Sequence, residues 1–232
     1  MARSGSKRPA TPTSPADPTP QTPRLGPALD RRNVSTLTED LDWADAEISG
    51  DATGVELRRL SITGCRIQQC RLTSANLGSA RFIDVLFDGC ELSGVDLTDS
   101  GCKRVEFRNC RMSGLQLSNA RLSDVLFSGC KLDDANFRMV GSERVLFDET
   151  VLTGADFYSA GLPAVQILRS DLTGADFSQA RLGGARLNGS TLADLRGAAA
   201  LRNLTIDPTQ ILPLAYSLFG SLGITITDAG AD

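Results

Sequence analysis

From Val55 to Asp194 the chain repeats a five-residue pattern without insertion or deletion: a small residue, a polar one, a Leu or Phe, then two polar or small ones. The small column runs Val55, Leu60, Cys65, Cys70, Ala75, Ala80, Val85, Cys90 and Val95, and continues in steps of five to Ala175, Ala180, Ala185 and Ser190. Two residues after each stands the large column, from Leu57, Ile62, Ile67, Leu72, Leu77, Phe82 and Phe87 to Phe177, Leu182, Leu187 and Leu192. Residues 55–194 hold 28 such pentapeptides, and only Cys102 and Ser142 fail to place a bulky apolar residue at the centre. A helix needs apolar spacings of three and four, and an ordinary strand alternates every two, so neither explains the pattern. A short period held over this length is the signature of a solenoid.

Similar pentapeptides also recur every twenty residues. Val85-Leu86-Phe87, Val105-Glu106-Phe107, Val125-Leu126-Phe127 and Val145-Leu146-Phe147 form one such set, and Cys70, Cys90, Cys110 and Cys130 form another. Four pentapeptides therefore complete one turn, each supplying one side of a square. At roughly 4.8 Å between stacked strands, seven turns give a rod about 34 Å long.

Four stretches, Ala75-Asn76-Leu77-Gly78-Ser79, Ala135-Asn136-Phe137-Arg138-Met139, Ala155-Asp156-Phe157-Tyr158-Ser159 and Ala175-Asp176-Phe177-Ser178-Gln179, match the A(D/N)LXX consensus. Over residues 55–194 the chain thus resembles the pentapeptide repeat proteins. The resemblance implies an all-β fold, a right-handed quadrilateral β-helix of about seven coils with a C-terminal capping helix. It says much less about function, because one fold hosts many.

The flanks differ in kind. Residues 1–33 hold seven of the ten prolines among Ser and Thr, with few large apolar residues to offset the entropy of ordering, and are expected to be a disordered arm. Residues 34–54 are expected to cap the first coil, with Ala46 and Ile48 in the two inward roles out of phase and Trp43 covering the open end. Residues 195–232 form the other cap. Asp207-Pro208-Thr209-Gln210 predicts a helix start, with Asp at the N-cap and Gln at the capping-box position, for a helix over 208–220. Ile211, Leu212, Leu214, Ala215, Leu218 and Phe219 share one broad face of it, and residues 224–227 read as a short strand. Tails of this kind occur in pentapeptide repeat proteins, including those that protect DNA gyrase, and in several they form a twofold interface. Ile211, Leu214, Leu218 and Phe219 are therefore expected either to cover the last coil or to join two chains as a homodimer.

The chain contains no histidine, which removes the commonest general base and metal ligand at neutral pH. No P-loop, nucleophile elbow or dinucleotide fingerprint occurs, so the expectation is no enzyme, no catalytic residues, no cofactor and no metal. All six cysteines stand at inward positions, where Cys serves as a small buried hydrophobe. A disulfide framework is the alternative that reducing conditions disfavour. Stacked sulfurs in a line about 4.8 Å apart do not converge on zinc. No apolar run is long enough for a membrane span and no secretory segment opens the chain, so a cytoplasmic location is expected.

Binding then turns on the outward positions. Residues 55–194 carry 17 acidic and 16 basic side chains, a balance unlike that of a rod imitating duplex DNA along its whole length. Sorted by side, the charges separate. The residue before the centre on one side runs Glu56, Asn76, Asp96, Gln116, Asn136, Asp156 and Asp176. On the next side it runs Ser61, Arg81, Gly101, Arg121, Gly141, Gly161 and Arg181, joined by Lys103 and Arg104. On the third side it places Leu86, Leu126 and Leu146 outward, with Glu106 between them. The acidic row is a candidate recognition surface, although Asp and Asn also bond local backbone at turns. The leucine row is a candidate for a partner, a dimer or the N-terminal arm. The resemblance to gyrase-interacting proteins implies an interaction rod that binds DNA gyrase and modulates supercoiling or quinolone sensitivity. The rival is a scaffold using the leucine row, unrelated to topoisomerases. Direct nucleic-acid binding is disfavoured by the net charge of −4 and by the lack of outward aromatics for stacking.

Overall fold

The computed structural model describes residues 19–36 and 43–227. Its strands are β1 (Asp30–Asn33), β2 (Trp43–Ala44), β3 (Ala46–Ser49), β4 (Ser61–Thr63), β5 (Arg66–Gln68), β6 (Arg81–Asp88), β7 (Gly101–Arg108), β8 (Arg121–Ser128), β9 (Gly141–Asp148) and β10 (Gln166–Leu168), followed by one α-helix, α1 (Ile211–Ser221). All ladders are parallel. From β4 to β10 each paired residue meets the one twenty positions later, as Phe87 does Phe107 and Phe107 does Phe127, and only at the last coil does Arg186 meet Thr205 at nineteen. The twenty-residue period is thus the length of one coil, and the structure is a parallel β-solenoid of about seven turns with a C-terminal helix.

The two inward columns are buried, save the half-buried Val55 and Ser142, and their apolar residues form a single continuous core. Its aromatic part is two ladders of phenylalanine. Phe87, Phe107, Phe127 and Phe147 stack at centroid spacings of 4.7, 4.9 and 4.8 Å. Phe137, Phe157 and Phe177 stack at 4.8 and 4.9 Å, and the ladders meet edge to face, as Phe137 does Phe147 at 5.6 Å. Identical residues at coil spacing place flat faces at van der Waals separation, which is what makes aromatics compatible with this fold.

The long strands β6 to β9 each wrap two sides of the square. They turn the corner at Asp84, Arg104, Asp124 and Arg144, all of which have positive φ between 51° and 57°. Elsewhere many corners place glycine at the same point, as at Gly64, Gly89 and Gly129.

At the N-terminal end Trp43 pairs with Ile62 and Ile48 with Ile67, a separation of nineteen residues, whereas Asp51 bridges Arg71 at twenty. One residue is missing from this coil, which is why its repeat reads out of phase. Trp43 is buried at 2% exposure, with the Arg32 guanidinium 5.1 Å from its ring centroid.

The expectation of a disordered arm over 1–33 is corrected for its second half. β1 pairs in parallel with β3 and so adds a strand to the rod's edge. Upstream, Gln21 N donates to Asp124 Oδ1 and Arg24 N to Asp84 Oδ1, each at 3.0 Å. Composition misled here because the docking rests on backbone groups meeting carboxylates and a sheet edge, and a count of apolar residues sees neither. Residues 1–18 of the arm, and 37–42 of the expected N-terminal cap, lie outside the described residues.

At the other end Pro208–Gln210 forms a 3-10 turn that leads into α1. Asp207 accepts from Thr209 N at 3.0 Å, and its own N–H donates to Gln210 Oε1 at 2.9 Å, so the expected capping box is present. The expected strand at 224–227 makes no ladder, and its Ile224 and Ile226 are 50% and 58% exposed.

Candidate functional site

The acidic row is continuous in space. Glu56 bridges Asn76, Asn76 bridges Asp96, and the sequence of bridges runs on through Gln116, Asn136 and Asp156 to Asp176 and Arg196. Much of its polarity is spent locally, however. Asp96, Asp156 and Asp176 each accept from the backbone N–H two residues on, at Thr98, Tyr158 and Ser178, all at 2.8 Å. Asn76 and Asn136 do the same to Gly78 and Arg138. These bonds hold the turn after the central residue. Arginines offset two of the four carboxylates: Arg138 lies 2.8 Å from Asp156 and stacks over Tyr158 at 4.3 Å, and Arg196 lies 3.8 Å from Asp176. Among the described residues Glu56 and Asp96 stand in no ion pair, so the negative field of this side is concentrated towards the N-terminal half.

The leucine row is less open than expected. Leu86, Leu126 and Leu146 are half-buried, and Glu106 between them is 3% exposed and paired with Arg108. The arm runs beside this row along the corner where Asp84, Arg104, Asp124 and Arg144 stack. Arg104 clamps Asp84 through two bonds of 2.6 Å, and Arg144 clamps Asp124 at 2.6 and 2.9 Å. The Arg104 guanidinium beside Asp84, helped by the Arg24 N–H, holds that carboxyl below the usual range, and Arg144 with the Gln21 N–H does so for Asp124. Two coils separate Asp84 from Asp124, about 9.6 Å, and three residues of extended polyproline-type chain cover about 9.3 Å. Gln21 and Arg24 are three apart, so the arm's own rise matches two coils of the rod. A five-residue analysis lost this corner because Asp and Arg there look like any outward charge; their alternation every twenty residues is the signal that could have found it.

The C-terminal cap divides the expected face, with Leu214 packed on the core and Ile211 and Phe219 exposed. Gln210, Leu214 and Ser217 point at the last coil: Gln210 Nε2 donates to the Leu187 and Ser190 carbonyls at 2.6 Å, and Leu195 N donates to Ser217 Oγ at 3.1 Å. Leu214 and Leu218 are half-buried, whereas Ile211 is 57% and Phe219 38% exposed. The physical reason is that a solenoid end offers unpaired backbone groups, and a covering helix must satisfy them with polar side chains.

All six cysteines are buried and unpaired. The five of the small column donate weakly to carbonyls of the coil before, as Cys90 does to Ile67 and Cys130 to Phe107, both at 3.3 Å. Burial pushes the Cys102 thiol up to about 12. No group of three or more His, Cys, Asp or Glu among the described residues is placed to hold a metal ion, and no helix among them is long and apolar enough to cross a membrane.

A four-sided coil of twenty residues, two inward positions per side and a capped end define the class as a pentapeptide-type β-solenoid. Two family models match: the pentapeptide repeat region over residues 60–137 and pentapeptide repeats (8 copies) over residues 170–199. Residues 60–137 and 170–199 are thus pentapeptide repeat regions. Among solved structures, full-length QnrB1, a plasmid-mediated fluoroquinolone resistance protein, is 20% identical with a TM-score of 0.42, over 72% of this chain and 96% of its own. HetL, a pentapeptide repeat protein involved in heterocyst differentiation regulation from the cyanobacterium Nostoc sp. strain PCC 7120, is 20% identical with a TM-score of 0.31, over 73% of this chain and 88% of its own. No curated protein matches the sequence.

Proposed function

We propose that this chain is a non-catalytic protein-interaction rod that pairs with a second copy through its C-terminal cap and offers its acidic row to a partner protein, DNA gyrase being the specific candidate. The observation that carries the reading is the apolar surface of the cap. Ile211, Leu212, Tyr216, Phe219, Leu222, Ile224 and Ile226 are all exposed, on a segment whose polar Gln210 and Ser217 face inward. Apolar surface gathered in this way marks a contact. A patch at one end of a rod closes on itself through a twofold axis, and residues 225–227, which make no ladder among the described residues, are placed to pair across it. Leu212→Ser with Tyr216→Ser leaves the solenoid folded and converts a dimer to a monomer in sedimentation equilibrium; a wild-type chain that is monomeric at tens of micromolar overturns the pairing.

What supports gyrase is that Glu56, Asp96, Asp156 and Asp176 stand in one stacked row along the rod, a sparse line of negative charge in which Asp156 and Asp176 are offset by Arg138 and Arg196. The solenoid's balance of charges confines such a line to this one side. Gyrase-catalysed supercoiling is titrated, with and without a fluoroquinolone, with the full chain and with an Asp96→Asn, Asp156→Asn, Asp176→Asn variant. Inhibition or protection that the variant loses supports the assignment; no effect at micromolar concentration removes gyrase as partner and leaves the pairing untouched.

A further inference from the structure

The side next to the acidic row carries Arg81, Gly101, Arg121, Gly141, Gly161 and Arg181 in one stacked line, joined by parallel ladders and bridges. Its three glycines have no reason within the fold. None has the positive φ that favours glycine, a Cβ at Gly101 or Gly141 would meet nothing within 4 Å, and one at Gly161 would meet Arg181 at an ordinary 3.7 Å. Glycine inside a strand weakens it, and where the strand does not bend or crowd, the remaining use is the close approach of another backbone. The three arginines are exposed and stand in no ion pair among the described residues, and neither does Lys103 in the adjoining row. Two shallow cavities open on Gly101. One of about 400 Å³ is lined by Arg81, Asn119 and Arg121, with Asp99 as its one acidic residue, and one of about 270 Å³ reaches Cys102 and Lys103.

We infer that this glycine-floored, arginine-flanked trough is a binding site for an extended acidic peptide segment of a partner protein, lying along the rod axis with carboxylates three residues apart. Arg81 and Arg121 are two coils apart, about 9.6 Å, and acidic side chains at every third position of a polyproline-type strand recur at about 9.3 Å. The rod already binds a chain in this geometry: the arm lies on the neighbouring corner with Gln21 and Arg24 spanning the same two coils. There the rod presents carboxylates to backbone N–H groups, whereas the trough presents guanidinium groups to side-chain carboxylates. The glycines let the peptide backbone settle between the arginines, whose planar forks suit carboxylates in pairs. The arm's outer residues are not the occupant, since 1–18 carry Arg3, Lys7 and Arg8 against the single Asp17.

The test uses the full chain and a synthetic peptide of repeated Glu-Pro-Pro, with a peptide of equal charge but its glutamates in one block, and a single-stranded oligothymidylate, as the other probes. Calorimetry is expected to give micromolar binding for the spaced peptide, at least tenfold weaker binding for the block, and at least tenfold loss in Arg81→Gln with Arg121→Gln. Gly101→Val with Gly141→Val is expected to keep or raise the melting temperature and still lose the peptide, which a purely structural glycine would not do. Equal binding of the spaced and blocked peptides, retention in either double variant, or no binding overturns the proposal. Tighter binding of the oligonucleotide overturns it in favour of a nucleic-acid surface.

Discussion

Arg104 and Arg144 hold a left-handed backbone conformation that costs a non-glycine residue about 1 kcal/mol, and each is also the residue that clamps an aspartate one coil earlier. The ion pair offsets the strain, because it is bidentate and the Asp124 carboxylate is only 4% exposed. Asp124→Asn removes one partner and leaves Arg144 at a strained corner. The expected loss is roughly 2 kcal/mol, discounted from a fully buried pair because Arg144 keeps a quarter of its side chain in solvent. Asp124→Ala, which removes the acceptor oxygen as well, frees the Gln21 amide, so its hydrogen exchange rises towards that of an open chain. Both carboxyls have folded pKa values below their unfolded ones. Their contribution is therefore complete above about pH 4 and is lost as the pH falls through the depressed folded values. Acid titration of stability in the asparagine variants should be flatter below pH 4, and an unchanged curve would exclude this corner as the source. The thiols make a second residue-scale prediction. With all six side chains buried, none should react with a maleimide at pH 7 on the timescale of minutes, and all six should react in denaturant.

At the scale of elements, α1 shows how far the sequence could be read. Asp207, Pro208 and Gln210 specify the helix start through local chemistry, and the structure contains that capping box. Which face turns inward depends instead on what the last coil leaves unpaired, and the carbonyls of Leu187 and Ser190 lie some twenty residues away in sequence. An apolar periodicity cannot register them, so it leaves open which of Ile211, Leu214, Leu218 and Phe219 turn to the last coil; Ile211 and Phe219 stand outward. The pentapeptides were legible because each residue's role repeats every five positions, whereas the arm was not, since Gln21 and Arg24 bond through backbone groups that no side-chain pattern encodes. Gln210→Leu tests the inward face. It removes the capping box and two carbonyl bonds, so a loss of about 2 kcal/mol is expected, with earlier melting of the last coil seen by hydrogen exchange. Leu212, 68% exposed, should tolerate Ser with a change in stability below about 0.5 kcal/mol.

On the scale of the whole molecule, each coil touches only its neighbours, so stability is a sum of coil and interface contributions along one dimension. The unit of that sum is twenty residues, set by ladders that pair each residue with the one a full coil later. Deleting residues 145–164 removes one complete coil. Arg144 would then lead into Val165 as it now leads into Val145, Phe137 would face Phe177 in place of Phe157, and the clamps on Asp84 and Asp124 would remain. One stacked pair in each phenylalanine ladder is lost, so the shortened rod should fold with a lower melting temperature and an unfolding m-value reduced in proportion to the surface removed. Deleting only residues 145–154 preserves the five-residue pattern but leaves half a coil, and ten residues cannot close a four-sided turn. That chain should lose cooperative unfolding and expose apolar surface to a reporter dye. Equal behaviour of the two deletions in circular dichroism and denaturant titration would mean that the pentapeptide, rather than the coil, is the cooperative unit of the rod.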